Sequence, residues 1–148
     1  MIPLDDLNFK EKLKNIKAFV FDVDGVLSAS VIHICSNGEL ERTTNVKDGY
    51  AIKKALEEGF TVGVITGGKS QAVKDRFVNL GVNSFYMSSE NKIADFNDFL
   101  ENHNLEPSSV LYMGDDIPDL EVMKQCGVAT CPADADEQIK AISLYISQ

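Results

Sequence analysis

Two aspartates directly follow the first apolar run of the chain. The stretch FVFDVDGVL is apolar from Phe19 to Phe21, and Asp22, Asp24 and Gly25 then follow within four residues. A continuous apolar run of this length predicts a strand covered on both faces. A turn at the end of a strand needs only one Asp or Asn, so two carboxylates one residue apart indicate groups held in place for chemistry. A turn-forming Asp pair beside a glycine is the alternative.

Polar residues also follow the other predicted strands. They are Thr66, Gly67 and Gly68 after the second strand, Lys92 after the third, and Asp115, Asp116 and Asp119 after the fourth. Ligands of open α/β sheets bind at the carboxyl ends of the strands, so we expect these residues to share one site. For Lys92 the alternative is a solvated surface lysine, and for Asp115 it is a helix cap.

The residue types at these strand ends are those of a metal-assisted phosphate site. Carboxylates gathered at one sheet edge repel one another, and the usual remedy is a hard cation. An all-oxygen set without His or Cys indicates Mg²⁺. A lysine, a hydroxyl and glycine amides neutralise or hydrogen-bond phosphoryl oxygens. The chain has neither a nucleotide P-loop nor a Ser–His or Cys–His pair, which leaves a carboxylate as the nucleophile. One Asp of the 22/24 pair would then attack phosphorus, and the other would exchange a proton.

Strand-like and helix-like segments alternate along the chain. The predicted strands are 18–21, 61–66, 84–87, 110–113 and 128–130, and Asn37-Gly38 predicts a hairpin turn within 31–42. Asp48 is predicted to cap a helix that stops at Gly59. Further predicted elements are an amphipathic lead-in over 4–15, a helix between Ser70 and Gly81, and a last helix over 134–144. This alternation predicts a doubly wound parallel α/β sheet with helices on both faces, in a single domain of residues 1–148.

Composition excludes several classes of protein. A net charge of −9 argues against a nucleic-acid partner, and 44% hydrophobic residues argue against disorder. The three cysteines, Cys35, Cys126 and Cys131, form no CxxC pair, which is typical of reduced thiols in the cytosol. The N-terminus is too charged for a signal peptide, and no apolar run approaches a membrane span. We therefore expect a soluble, cytoplasmic protein without a membrane partner.

The stretches DVDGVL, ITG, the isolated Lys92 and GDDIPD resemble, in this order, the four motifs of the haloacid dehalogenase superfamily of phosphohydrolases. The resemblance covers about residues 16–145 and implies an aspartyl-phosphate intermediate, with Asp22 as nucleophile and Asp24 as general acid/base. It implies that Thr66 and Lys92 bind the phosphoryl group. The ligands that it implies for Mg²⁺ are Asp22, the Asp24 carbonyl and Asp115, with Asp116 and Asp119 orienting ligands or waters.

The spacing between the motifs leaves no room for a cap domain. Asp24 to Thr66 holds only a hairpin and a helix, and Thr66 to Lys92 holds one helix and one strand. Because the reacting centre must be kept from stray water, either a macromolecular substrate or a neighbouring subunit would close the site.

Among capless members, the hairpin, NVKDGYAIK, ITGGKS and GDDIPDLEVM look like the family of 3-deoxy-D-manno-octulosonate 8-phosphate phosphatases. This resemblance implies a Rossmann-like sheet with a small hairpin inserted after the first strand. It also implies a homotetramer whose hairpins build a barrel, each subunit capping the next. The implied substrate is the phosphate ester of a 2-keto-3-deoxy sugar acid, as in lipopolysaccharide biosynthesis.

The implied substrate contacts are Thr66, Gly67, Gly68, Lys69 and Lys92. Lys69 could pair with the substrate carboxylate or with a neighbouring subunit. Two features depart from the family pattern: Gly68 stands where many members have an arginine, and the chain stops at Gln148 without a glycine-rich tail.

Several functions are compatible with parts of this pattern. The main hypothesis is a Mg²⁺-dependent phosphatase for the eight-carbon 3-deoxy-D-manno-octulosonate 8-phosphate, and the nearest alternative is the nine-carbon 9-phosphate. A non-catalytic binding subunit on the same scaffold is a second class, and the intact acidic set argues against it. A receiver-like signalling domain lacks DxDGxL together with GDDxxD. A protein phosphatase would suit a capless site, but the hairpin resemblance weighs against it.

Overall fold

The structure, a computed structural model, describes residues 8–148. The strands are β1 (Ala18–Phe21), β2 (His33–Ile34), β3 (Leu40–Glu41), β4 (Thr61–Ile65), β5 (Ser84–Tyr86), β6 (Val110–Met113), β7 (Val128–Pro132) and β8 (Tyr145–Ser147). The helices are α1 (Phe9–Leu13), α2 (Val46–Glu57), α3 (Gln71–Leu80), α4 (Lys92–His103), α5 (Leu120–Gln125) and α6 (Glu137–Ile142). Two short 3₁₀ turns, Pro107–Ser109 and Ile117–Asp119, flank β6.

Six parallel strands form the main sheet, in the order β5-β4-β1-β6-β7-β8. Two apolar cores lie against it. One includes Phe96 and Phe99 of α4 and Ile139 of α6, and the other includes Ile52 of α2 and Phe77 of α3. Helices therefore cover both faces, which confirms the predicted doubly wound α/β fold.

A small antiparallel hairpin, β2–β3, stands apart from the main sheet. His33 pairs with Glu41, and the Gly38 N–H donates to the Cys35 carbonyl to close the turn. Gly38 has φ +84°, a conformation that glycine adopts without strain. The Asn37-Gly38 turn is thus confirmed, and all strand residues of the hairpin are exposed.

Some predicted boundaries were wrong. Asn45, not Asp48, caps α2, because its side chain accepts from the backbone N–H groups of Lys47 and Asp48. The last helix is shorter than predicted, and edge strand β8 follows it, a strand that the pattern did not indicate. The lead-in over 4–15 contains α1, capped by Asn8, while its residues 4–7 lie outside the described part.

The connections between the strands are as short as predicted. The hairpin and α2 occupy the interval between Asp24 and Thr66, and α3 and β5 occupy the interval between Thr66 and Lys92. Residues 8–148 therefore contain no inserted cap domain. Within the same residues, no helix has the length and apolar character needed to cross a bilayer.

Candidate active site

The central strand of the sheet positions the first predicted site residue. β1 lies between β4 and β6, with Phe21 in register with Val64 and Met113. Asp22 follows Phe21, and its backbone N–H still donates to the Met113 carbonyl at 3.1 Å. The carboxyl ends of three neighbouring strands therefore meet at Asp22, as the topology of a parallel sheet requires.

Lys92 brings two buried carboxylates together. Its Nζ lies 3.0 Å from Asp22 Oδ1 and donates to Asp119 Oδ1 at 2.8 Å. The lysine side chain is only 7% exposed, which rules out a solvated surface lysine. Lys92 is the first residue of α4, where the helix dipole disfavours a positive charge. The two carboxylates therefore account for the placement of this cation.

Asp119 is fully buried, and groups other than Lys92 also bind its carboxylate. The Tyr112 hydroxyl donates to Asp119 Oδ1 at 2.6 Å. The backbone N–H of Asp115 donates to Oδ2 at 3.1 Å, and that of Asp116 at 3.4 Å. Asp119 thus links the loop 114–116 after β6, called the GDD loop below, to Lys92. Asp116 itself caps the 3₁₀ turn Ile117–Asp119 through the Ile117 N–H and is exposed.

Burial controls the protonation of this cluster. Burial and the charge of Asp119 raise the pKa of Asp22 from 3.8 to about 8. Burial also raises the pKa of Asp115 to about 6, with contributions from Asp119 and Asp116, against a hydrogen bond with Asp22 that lowers it. For Lys92, burial lowers the pKa, but the charges of Asp22 and Asp119 outweigh it and the pKa is raised. Without a metal ion, Asp22 therefore holds a proton at neutral pH even beside Lys92, and a divalent cation at the cluster would favour the ionised form of both carboxyls.

The acidic cluster fits a divalent metal. One carboxylate oxygen from each of Asp22, Asp115 and Asp119 lies within 4.8 Å of the others. Asp115 Oδ1 is buried and, among residues 8–148, receives no hydrogen bond. Asp119 Oδ1 is already engaged by Lys92 and Tyr112, and Asp22 Oδ1 by Lys92 and the Val23 N–H, so the oxygens left for a metal are Asp22 Oδ2 and Asp115 Oδ1. An oxygen-only set of this kind suits Mg²⁺.

Gly25 makes the close approach of Asp115 possible. Its φ is +86°, and a Cβ there would lie 1.9 Å from Asp115 Oδ2. Any side chain at this position would displace the carboxylate. The glycine after the DVD pair is therefore required by the site as well as by the turn.

Asp24 lies in a different environment from Asp22. Its carboxylate is 32% exposed and accepts two bonds from Arg42, at 2.6 Å from Nε to Oδ1 and 3.1 Å from Nη2 to Oδ2. The hydrogen bond to Asp24 raises the pKa of Arg42. The acidic cluster contains the carboxylate of Asp119 and not that of Asp24, and the predicted role of the Asp24 carbonyl as a metal ligand stays a prediction.

The ITGGKS turn lies beside Arg42. Thr66 is buried, and its Oγ1 accepts from the Gly68 N–H at 3.0 Å. A Cβ on Gly68 would lie 3.1 Å from Arg42 Nη2 and 3.3 Å from Thr66 Oγ1. Gly67 and Lys69 are exposed. Together with the hairpin and the start of α3, this turn lines a cleft of about 820 Å³.

The structure therefore brings the predicted residues into two connected groups. Asp22, Lys92, Asp115 and Asp119 form the buried group. Gly67, Gly68 and Lys69 line the cleft, and Asp24 and Thr66 adjoin it through their contacts with Arg42 and Gly68. Sequence reasoning missed Arg42 and Tyr112. A signal for Arg42 was present: it is one of only two arginines in an acidic chain, and it lies in the hairpin that follows the loop 22–24, called the DVD loop below. Nothing in its local pattern distinguishes Tyr112 from an ordinary core residue.

The comparisons with known proteins agree with this geometry. The family model of haloacid dehalogenase-like hydrolases matches residues 28–133. The 3-deoxy-D-manno-octulosonate 8-phosphate phosphatase KdsC of Escherichia coli (strain K12) is 42% identical over 137 residues, which cover 93% of this chain and 73% of that protein.

Solved structures give the same result. The 3-deoxy-D-manno-octulosonate 8-phosphate phosphatase of Moraxella catarrhalis, in complex with a magnesium ion, a phosphate ion and a KDO molecule, superposes with a TM-score of 0.89 at 31% identity. The match covers 93% of this chain and 79% of that one. The cobalt-bound phosphatase of Haemophilus influenzae gives a TM-score of 0.87 at 31% identity, over 91% of this chain and 79% of the other.

The four motifs occupy the predicted strand ends, and the relatives match along most of their own length. The chain therefore belongs to the haloacid dehalogenase-like hydrolases and, within them, to the capless family of 3-deoxy-D-manno-octulosonate 8-phosphate phosphatases.

Proposed function

We propose that this protein is a Mg²⁺-dependent phosphatase that hydrolyses 3-deoxy-D-manno-octulosonate 8-phosphate through an aspartyl-phosphate. The main support for this proposal is Lys92, a buried cation shared by Asp22 and Asp119. Near it lies Asp115 Oδ1, which receives no hydrogen bond from any residue that the structure describes. This arrangement suits a transferring phosphoryl group, whose charge needs fixed cations. The choice of this ester is supported by the similar proteins, which are 3-deoxy-D-manno-octulosonate 8-phosphate phosphatases.

Asp22 is the proposed nucleophile. A carboxylate oxygen of Asp22 forms a bond to phosphorus, and the bond from phosphorus to the sugar oxygen breaks. Asp24 gives its proton to that departing oxygen, which leaves as the sugar alcohol. In the second half, water attacks the phosphorus of the aspartyl-phosphate, Asp24 takes the proton from water, and inorganic phosphate leaves with Asp22 restored.

Other residues hold the phosphoryl group during both steps. Lys92 and the Thr66 hydroxyl are the proposed contacts to its oxygens, and the backbone of Gly67 adds a donor. Mg²⁺ held by Asp22, Asp115 and the Asp24 carbonyl would supply charge neutralisation to the phosphoryl oxygens. In this proposal Asp119 orients Lys92, and Asp116 stabilises the turn that follows the GDD loop.

We further propose that the protein works as a cytoplasmic homotetramer in which a neighbouring subunit closes the site. Apolar side chains on and around the hairpin support this proposal, since Val31 is 85% exposed, Ile34 71% and Val46 79%. Exposed apolar side chains gathered in one region are typical of a protein–protein interface. Light scattering coupled to size-exclusion chromatography gives the mass directly, and a monomer at working concentration would contradict the proposal.

The test of the catalytic function is phosphate release with Mg²⁺ from a panel of esters. The panel contains the eight-carbon and nine-carbon keto-sugar acid phosphates, hexose phosphates and a phosphopeptide, with Asp22→Asn as the inactive control. We expect a strong preference for the eight-carbon ester that disappears in Asp22→Asn. Preference for the nine-carbon ester would correct the substrate, and no release from any ester would leave the binding-subunit hypothesis.

A further inference from the structure

Arg42 is a buried guanidinium that the motifs do not include. Its side chain is 7% exposed, and its two bonds to Asp24, at 2.6 and 3.1 Å, form a fork. A forked contact defines the direction of a carboxylate, which a single lysine contact cannot do. Asp24 is 32% exposed, so the pair is part-buried, but the shielded Arg42 side chain distinguishes it from an ion pair with both partners exposed, which contributes little.

The hairpin alone gives Arg42 little support. It follows directly on strand β3, in which both residues are exposed. The Arg42 head group reaches across to the loop after β1 and lies beside the ITGGKS turn. Gly68 leaves the space for it, because a Cβ would approach Arg42 Nη2 to 3.1 Å. The hairpin, the DVD loop and this turn thus meet at one guanidinium.

The two oxygens of Asp24 are held unequally. Oδ1 has the shorter contact to Arg42 Nε and also accepts from the Ser28 hydroxyl at 3.3 Å. Oδ2 has the longer contact, to Nη2. An acid that exchanges a proton needs one oxygen held and the other available to the reacting group.

We propose that Arg42 is the positioning residue of the general acid/base: its fork, shorter at Oδ1, fixes the direction of the Asp24 carboxylate, and the less closely held Oδ2 exchanges the proton with the oxygen that leaves or attacks phosphorus. This inference rests on the proposed function for the role of Asp24. It does not depend on which sugar acid is the substrate.

The test compares esters that differ in how much their leaving group needs a proton. Single-turnover rates are measured for p-nitrophenyl phosphate, glycerol 1-phosphate and the eight-carbon keto-sugar acid phosphate. Nitrophenolate leaves without protonation, whereas an alkoxide does not. We expect Arg42→Gln to lower the rate on both alkyl esters about 10- to 100-fold, and that on p-nitrophenyl phosphate less than about 3-fold. Arg42→Lys should fall in between, because an ammonium cannot form the fork.

Two controls separate positioning from other roles. Lys53→Gln removes an exposed positive charge from α2 and should leave all rates unchanged. In an Asp24→Asn background, adding Arg42→Gln should cost less than about 2-fold more, because the two residues act as one unit. Should Arg42→Gln fail to fold, the same ratio of rates is measured on Arg42→Lys.

Three results would overturn the inference. Equal losses on the nitrophenyl and alkyl esters would make Arg42 a general anchor of the hairpin. A rise, confined to the keto-acid ester, in the enzyme concentration that half-saturates the single-turnover rate would make it a contact for the substrate carboxylate. Additive losses with Asp24→Asn would also exclude the positioning role. Should the wild type reject the keto-acid ester but hydrolyse the other two, the proposed substrate fails while the test of Arg42 still stands.

Discussion

The two sides of the site hold their charges in different ways. On the buried side, the exposed fractions of the side chains of Asp22, Lys92 and Asp119 are 10%, 7% and 0%. These residues follow or begin regular elements of the main sheet and its helices. On the cleft side, Asp24 is 32% exposed, and Arg42 belongs to a hairpin with strands of two residues each.

The difference suits the two tasks of a phosphatase. The phosphoryl group is the same in every substrate, so a rigid, buried cation and carboxylates can be directed at it. The leaving group differs between substrates and must enter and depart, which requires an open side. An ion pair between two loops can hold Asp24 there without enclosing it.

Removing the buried cation should have the largest effect. Lys92→Met leaves Asp22 and Asp119 facing each other without a positive charge, and breaking a buried pair in this way costs about 3–5 kcal/mol of stability. Activity should fall by about 10²-fold or more. Chemical denaturation and phosphate release measure the two losses. The matched variant Lys124→Met removes an exposed ion pair with Glu121 and should change neither stability nor activity. Equal losses in the two variants would contradict the special importance of the buried cation.

The buried side should also make stability depend on pH. Without a metal, the pKa of Asp22 is about 8 in the folded protein against 3.8 for an ordinary side chain. The folded state binds this proton more tightly, so the contribution of Asp22 is complete below pH 3.8 and is lost as pH rises through about 8.

Asp22→Asn should therefore stabilise the metal-free protein relative to wild type, by about 1–3 kcal/mol near pH 8 and by little near pH 4. Urea unfolding of both proteins across this range measures the difference. Adding Mg²⁺ should stabilise the wild type more than the variant, because the ion needs the Asp22 carboxylate. A difference that does not change with pH would contradict the assigned cause.

The next largest loss of stability is expected when the Tyr112 hydroxyl is removed. Tyr112→Phe removes one donor from the buried Asp119 Oδ1, which should cost about 1–2 kcal/mol of stability while Lys92 still binds that oxygen. Tyr86→Phe is the matched variant, since the Tyr86 hydroxyl donates to the exposed Asp98 at 2.7 Å. It should cost less than about 0.5 kcal/mol. The free energies of unfolding give both values, and equal costs would mean that Tyr112 does not support the cluster.

We expect the smallest effect from a substitution on the cleft side of the site. Gly68→Ala places a Cβ 3.1 Å from Arg42 Nη2, so the guanidinium must shift by a few tenths of an ångström. We expect kcat on the sugar ester to fall about 2- to 5-fold with little change in stability. Gly67→Ala meets only the Ser89 carbonyl, at 3.6 Å, and should have a smaller effect on kcat. A larger loss for Gly67→Ala would indicate that the backbone of the turn, and not Arg42, is sensitive.

Sequence patterns predicted the elements that bury continuous apolar surface. The strands β1, β4, β5, β6 and β7 and the helix between Ser70 and Gly81 follow from apolar runs and helix caps, whereas the hairpin β2–β3 follows from its Asn37-Gly38 turn. The cap of α2 was wrong because Asn45 and Asp48 are both good capping residues, and only the backbone conformation selects between them. Edge strand β8 was missed because its residues are mostly exposed and carry no pattern of burial.

The amino-acid sequence by itself determined where the candidate site lies. Asp22, Asp24, Thr66, Lys92 and Asp115 stand at or near strand ends, and a parallel sheet brings such ends together whatever the details of packing. Only the tertiary structure decided how these groups are held. The contacts of Asp24 with Arg42 and of Asp119 with Tyr112 join residues distant along the chain or hidden among core positions. Such contacts depend on where side chains end in space, and no local pattern records that.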